Sequence, residues 1–170
     1  MKVIFDSIIF NLQTRGGISL YWRELVKRSK HLDSVEVKSR YSDNIFAQNG
    51  EVECRRTVYF TKPVPLERIS NFGALSNERA IFHSSYYRTT WQKNILNIVT
   101  VYDFTYEYYG SGLAKNIHGA QKKLAINNAD GIICISDSTK NDLFNFFPNI
   151  DKNKVQTIYI SASEKFHKII

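Results

Sequence analysis

Asn97–Glu107, NIVTVYDFTYE, decides how the chain folds. Ile98, Val99 and Val101 are β-branched and apolar in an almost unbroken run, the composition of a strand buried on both faces of a parallel sheet. The run stops at Tyr102 and Asp103. In open α/β sheets the loops that leave the carboxyl ends of the strands line a ligand crevice. Asp103 is therefore expected to form the floor of a site, with Tyr102 beside it.

Similar short apolar runs flank this strand. Val3–Phe10 (VIFDSIIF), Val35–Tyr41, Glu51–Phe60, Ala80–His83, Ile95–Asp103, Gly131–Ser136 and Val155–Ile160 are expected strands. Between them, Ile18–Leu32 has apolar residues at helical spacing and a polar face with Arg23, Lys27, Arg28 and Lys30. A second helix is expected over Leu113–Asn128 with Ile117, Leu124, Ala125 and Ala129 turned inward. A third follows over Ser138–Phe147, capped by Ser136 or Asp137 and ended by Pro148. Lys62–Pro65 breaks the chain ahead of a short helix over Leu66–Leu75. Strands alternating with helices imply an α/β, Rossmann-like, doubly wound and mostly parallel sheet with helices on both faces.

The 170 residues suit one domain, about 100 to 200 residues being usual. Hydrophobic residues at 43% and charged residues at 23% are normal for a folded domain and exclude wholesale disorder. A net charge of +7 attracts phosphates without choosing among nucleic acid, anionic lipid and phosphorylated small molecules. Two cysteines, Cys54 and Cys134, give neither a disulfide framework nor a metal-binding spacing. His31, His118 and His167 share no ligand spacing and are expected to be structural or solvated. No metal and no cofactor is expected. No apolar run approaches the ~18 residues of a membrane span, and the chain enters a strand without a charged leader. A cytoplasmic protein is expected.

Several residues pair a chemical role with a plainer structural one. Gly16 and Gly17 lie between a strand and a helix, where backbone N–H groups can meet an anion, or where two glycines merely make a tight turn. Asp103 and Glu107 are two carboxylates on one loop, able to bind or orient a hydroxyl, or else a loop cap and a solvated acid. His83 ends a strand and Tyr86, Tyr87 and Arg88 follow on its loop, a grouping that offers aromatic faces and a guanidinium to a ligand, with core packing as the alternative for the tyrosines. Ser136 and Lys140 fall at a strand end and in the next helix turn. They either hold an anion or hydroxyl in the crevice or act as an N-cap and an exposed cation.

Four segments resemble the amino-terminal half of a family 4 glycosyltransferase of the GT-B fold: GGIS-x-Y-W-R-E-L over Gly16–Leu25, F-H-S-S-Y-Y over Phe82–Tyr87, V-T-V-Y-D-F-T-Y-E over Val99–Glu107, and K-x-A-I-x-x-A-D-G-I-I-C-I-S-D-S-T-K-x-D-L over Lys123–Leu143. The resemblance implies one half of an enzyme, with a Rossmann-like acceptor-side domain over residues 1–160 and residues 161–170 starting the crossover to a donor-binding domain. That second domain would carry a paired-glutamate motif. The implied activity is retaining, metal-independent transfer from a nucleotide diphosphate sugar to a glycan or lipid-linked saccharide of a cell envelope. Gly16, Gly17 and Ile18 would approach the donor diphosphate. Asp103 and Tyr102 would be catalytic, Tyr102 standing where many relatives have histidine. His83, Tyr86, Tyr87, Arg88 and Glu107 would contact the acceptor, and Ser136 and Lys140 would line the cleft.

A lipid-linked acceptor would suit a peripheral contact of the basic helix Ile18–Leu32 with the inner face of a membrane. Two other function classes compete with a transferase. The first is a non-catalytic Rossmann-like module for carbohydrate binding or scaffolding. The second is a nucleic-acid binder, which is not expected because no recognised motif occurs and the cations are not interleaved with aromatics in one exposed stretch.

Overall fold

The computed structural model describes residues 1–29, 31–32, 35–39, 42–47, 56–57 and 76–161. Among them, β1 (Lys2–Asp6), β2 (Val35–Ser39), β3 (Arg56–Thr57), β4 (Ala80–Ser84), β5 (Ile95–Val101), β6 (Gly131–Cys134) and β7 (Val155–Thr157) form one sheet in the order β3-β2-β1-β4-β5-β6-β7. Every pairing is parallel. The order reverses between β2-β1 and β4-β5, the arrangement of the Rossmann-like α/β fold. The α/β architecture expected from the alternating elements is the one observed.

The helices are α1 (Ile9–Leu12), α2 (Gly17–Ser29), α3 (Thr105–Tyr109), α4 (Gly112–Asn127) and α5 (Asp137–Phe146). Successive residues of β1 face opposite sides of the sheet. Phe5 joins Trp22, Val26 and Val37 in one apolar cluster, whereas Ile4 joins Ala80, Phe82 and Ile95 in another. A third cluster gathers Val99 and Val101 of β5, Ala125 and Ile126 of α4, Ile132 and Cys134 of β6 and Leu143 of α5. Burying a side chain the size of Trp22 or Phe82 contributes about 2 to 3 kcal/mol. Cys134 is a free, buried thiol, and loss of hydration pushes its pKa up to about 11.

Several element boundaries differ from expectation. The run Val3–Phe10 is not one strand. β1 ends at Asp6, and the Phe10 N–H donates to Ser7 O at 3.0 Å as the chain turns into α1. Ile8, Ile9 and Phe10 are buried either way, so hydrophobicity could not separate strand from helical turn. β5 stops at Val101, leaving Tyr102 and Asp103 beyond it. α2 stops at Ser29, whose hydroxyl donates to Leu25 O, and Leu32 is exposed. Thr105–Tyr109, expected as loop, is helical.

On α4 the inward face is corrected. Ala125 and Ala129 are buried as expected, but Ile117 and Leu124 face outward while His118, Gln121 and Lys122 are buried. Ser136 is the N-cap of α5, its Oγ accepting from the Thr139 N–H at 3.1 Å. Of the expected strand Glu51–Phe60, only Arg56 and Thr57 lie within the described residues. Cys54, Lys62–Pro65, the expected helix Leu66–Leu75, His167 and the end of the chain after Ser161 lie outside them.

Candidate functional site

α2 begins at Gly17 directly after the turn from α1, and its first intrahelical bond runs from the Leu20 N–H to Gly16 O at 3.0 Å. The N–H groups of Gly17, Ile18 and Ser19 precede that bond, at the positive end of the helix. Neither glycine has a positive φ. A Cβ on Gly17 would meet nothing within 4 Å, whereas one on Gly16 would come 2.5 Å from Gln13 Oε1. The open space in front of Gly17 belongs to a cleft of about 750 Å³.

That cleft brings together elements distant in sequence. Gly17, Ile18 and the outer face of α2 (Leu20, Tyr21, Glu24, Leu25, Arg28) form one wall. Tyr102 and Asp103, leaving β5, form the floor with Ile135 from the end of β6, and Tyr159, Ile160 and Ser161 form the far wall. The wall is mainly apolar. Arg23 also lines it, and its guanidinium is paired with Glu24 at 2.5 Å. This pairing is the chief reason the Glu24 carboxyl lies below its ordinary pKa.

Asp103 is exposed in the cleft, and its Oδ1 accepts from the Thr105 N–H at 3.0 Å. The carboxylate therefore caps α3 and still has acceptor positions for a ligand hydroxyl. Its main-chain oxygen is held at 2.7 Å by Lys122 Nζ, which also contacts Glu107 Oε2 at 2.8 Å. Lys122 is 1% exposed and lies over the Phe104 ring, 4.6 Å from its centroid. A buried ammonium from α4 thus fixes the loop that carries Asp103. Glu107 consequently supports the loop as a partner of Lys122 and does not line the cleft.

Tyr102 is buried, with its phenol oxygen accepting from Trp22 Nε1 at 2.6 Å. Burial raises its pKa well above the ordinary value. It lines the cleft floor as a neutral ring whose hydroxyl is held by Trp22. Tyr21 packs edge-on to Tyr102, and burial raises its pKa too.

The acceptor group expected after β4 does not reach the cleft. His83 lies between Phe5 and Trp22, its Nε2 2.8 Å from Thr100 Oγ1, and burial lowers its pKa to about 4. Tyr87 is buried in the core at a positive φ of 48°. Tyr86 meets His118, its hydroxyl 2.9 Å from Nε2. Arg88 is buried and donates to Asp6 Oδ2 at 3.4 Å. His83 lies within β4 and the other three follow it, so that ring and guanidinium alike pack against their own chain.

Asp6 and its partners also explain why the cleft lies elsewhere than the fold would suggest. Ligands of such sheets usually bind where the strand order reverses, here between the carboxyl ends of β1 and β4. Asp6 fills that place. Its Oδ1 accepts from the Ser85 N–H and Oγ at 2.7 and 2.8 Å, and its Oδ2 accepts from Ser84 Oγ at 3.2 Å and from Arg88. Ser85 Oγ in turn accepts from the Ile9 N–H.

Ser136 and Lys140 do not line the cleft. Ser136 serves as the α5 cap, and Lys140 continues the same first turn with its N–H on Ser136 O. Beside them Asp137 accepts from Thr157 Oγ1 at 2.7 Å and from the Tyr159 hydroxyl, which pulls its carboxyl below the ordinary range and fixes the far wall. Sequence reasoning missed this wall because the partners are 20 and 22 residues apart. The α2 wall had a signal: Gly17, Tyr21, Glu24 and Arg28 recur at helical spacing on one face.

Among the described residues no group of three His, Cys, Asp or Glu side chains could hold a metal ion, and no helix is long and apolar enough to cross a membrane. No protein-family model matches the chain, and neither does any curated protein.

Proposed function

We propose that this chain forms the acceptor side of a retaining glycosyltransferase of the family 4, GT-B type. A separate donor-binding domain supplies the nucleotide diphosphate sugar, and this domain works at the cytoplasmic face of a membrane on a saccharide or lipid-linked saccharide. The observation that carries the reading is the meeting of the α2 start with the carboxyl end of β5 in one cleft. The N–H groups of Gly17 and Ile18 suit the donor diphosphate. Asp103 orients the acceptor hydroxyl. The apolar wall of Leu20, Leu25 and Ile160 suits the hydrocarbon of a lipid-linked acceptor.

Calorimetric titration of the purified chain with short envelope-type oligosaccharides is expected to show saturable binding. Asp103→Asn should weaken it about tenfold, the scale of one hydrogen bond to a charged group. Failure to bind any saccharide sinks the proposal, and transfer from a nucleotide sugar by this chain alone refutes the division of labour.

A second reading is a non-catalytic carbohydrate-binding module. It is favoured by the Tyr102 phenol being held by Trp22 at the cleft floor. Saccharide binding that is indifferent to Asp103→Asn selects it.

A further inference from the structure

The faces of α4 are inverted. His118, Gln121 and Lys122 are buried against the protein, whereas Leu113, Ile117 and Leu124 are 75%, 44% and 46% exposed. With the exposed Ala120 these recur at spacings of four, three and four, which places them on one outward stripe. On the neighbouring α3, Tyr106 and Tyr109 are 44% and 84% exposed, Tyr106 stacking on His118. An apolar stripe left exposed along a helix marks a surface that meets something other than water.

We propose that the outward face of α3 and α4 docks on an anionic bilayer. Charge selects this occupant. Gly112–Asn127 contains no acidic residue, its Lys123 is exposed and Lys115 half-buried, and the nearby Glu107 is occupied by the buried Lys122. The tyrosines present a ring and a polar tip, the residue chemistry of the membrane–water boundary. On α2, where the sequence led to the expectation of membrane contact, Glu24 pairs with both Arg23 and Arg28 at 2.5 and 3.8 Å and offsets the basic face. The membrane contact therefore moves from α2 to α4. This placement rests on the membrane-peripheral part of the proposed function and needs no sugar transfer.

The test is co-sedimentation of the full chain with vesicles of phosphatidylglycerol and phosphatidylcholine, against phosphatidylcholine alone. Binding is expected to the anionic vesicles, weakened by salt. Leu113→Ser/Ile117→Ser should reduce it at least about tenfold, since withdrawing two such side chains from water contributes more than that factor. Thermal melts check that the variant folds, and Lys27→Ser on α2 should bind as the parent does. Loss of binding with Lys27→Ser but not with the α4 variant overturns the α4 placement and leaves the peripheral contact standing. No binding to either vesicle overturns the bilayer proposal and leaves saccharide binding by the cleft as a separate question. A concentration-dependent dimer abolished by the α4 substitutions, without vesicle binding, assigns the stripe to a second copy and also overturns it.

Discussion

Lys122 Nζ sits 2.8 Å from Glu107 Oε2 and 2.7 Å from the main-chain oxygen of Asp103, so that a side chain from the middle of α4 anchors the loop at the end of β5. The ammonium is sealed beneath Phe104 and Tyr87. A charge this deeply buried is tolerated because both oxygens satisfy it.

Removing one partner should therefore cost more than removing both. Lys122→Met is expected to lower unfolding free energy by about 3 kcal/mol, and Lys122→Met/Glu107→Gln by less. Urea denaturation measures both. A Lys122→Met protein as stable as the parent would show that the anchor contributes nothing.

His83 gives stability a defined pH dependence. Its folded pKa of about 4 lies below its ordinary value of 6.5. Between these values the unfolded chain holds a proton that the folded chain does not, so acid favours unfolding and stability rises with pH across the window. The full effect is about 3 kcal/mol, at about 1.4 kcal/mol per pKa unit. Denaturation curves from pH 4 to 7 should flatten in His83→Gln; an unchanged slope assigns the dependence to other groups.

Much of this architecture was legible in the chain. β5 could be placed because Ile98, Val99 and Val101 form a run with few alternatives, and the α5 cap because serine at a strand-to-helix junction has a specific bond to make. The phase of α4 was not legible. Apolar residues are normally assigned inward, and here the inward positions belong to histidine, glutamine and lysine, whose partners Tyr86, Asp103 and Glu107 come from elsewhere in the fold. For the same reason the residues after β4 looked like ligand contacts. Nothing local to Arg88 reveals that Asp6, 82 residues earlier, waits for it.

The two glycines at the start of α2 test the helix start as an anion site. Gly17→Ala has room for its methyl group and is expected to change stability by under about 0.5 kcal/mol, while hindering an anion at the helix start. Gly16→Ala needs only the end of the Gln13 side chain to swing aside and is likewise expected to change stability little. Phosphate titration of the Gly17→Ala chain is the check: affinity equal to the parent's removes the helix start from the site.

Ser136→Ala should lower stability by about 1 kcal/mol through loss of the α5 cap and leave saccharide binding unchanged. Weaker binding at unaltered stability would restore Ser136 to the cleft.

The knot of hydrogen bonds around Asp6 closes the notch between β1 and β4 with the protein's own side chains. The cleft opens elsewhere, between α2 and the segment that Tyr159 ties to Asp137. The far side of that opening is thus tethered by one phenol and one carboxylate at the protein's edge.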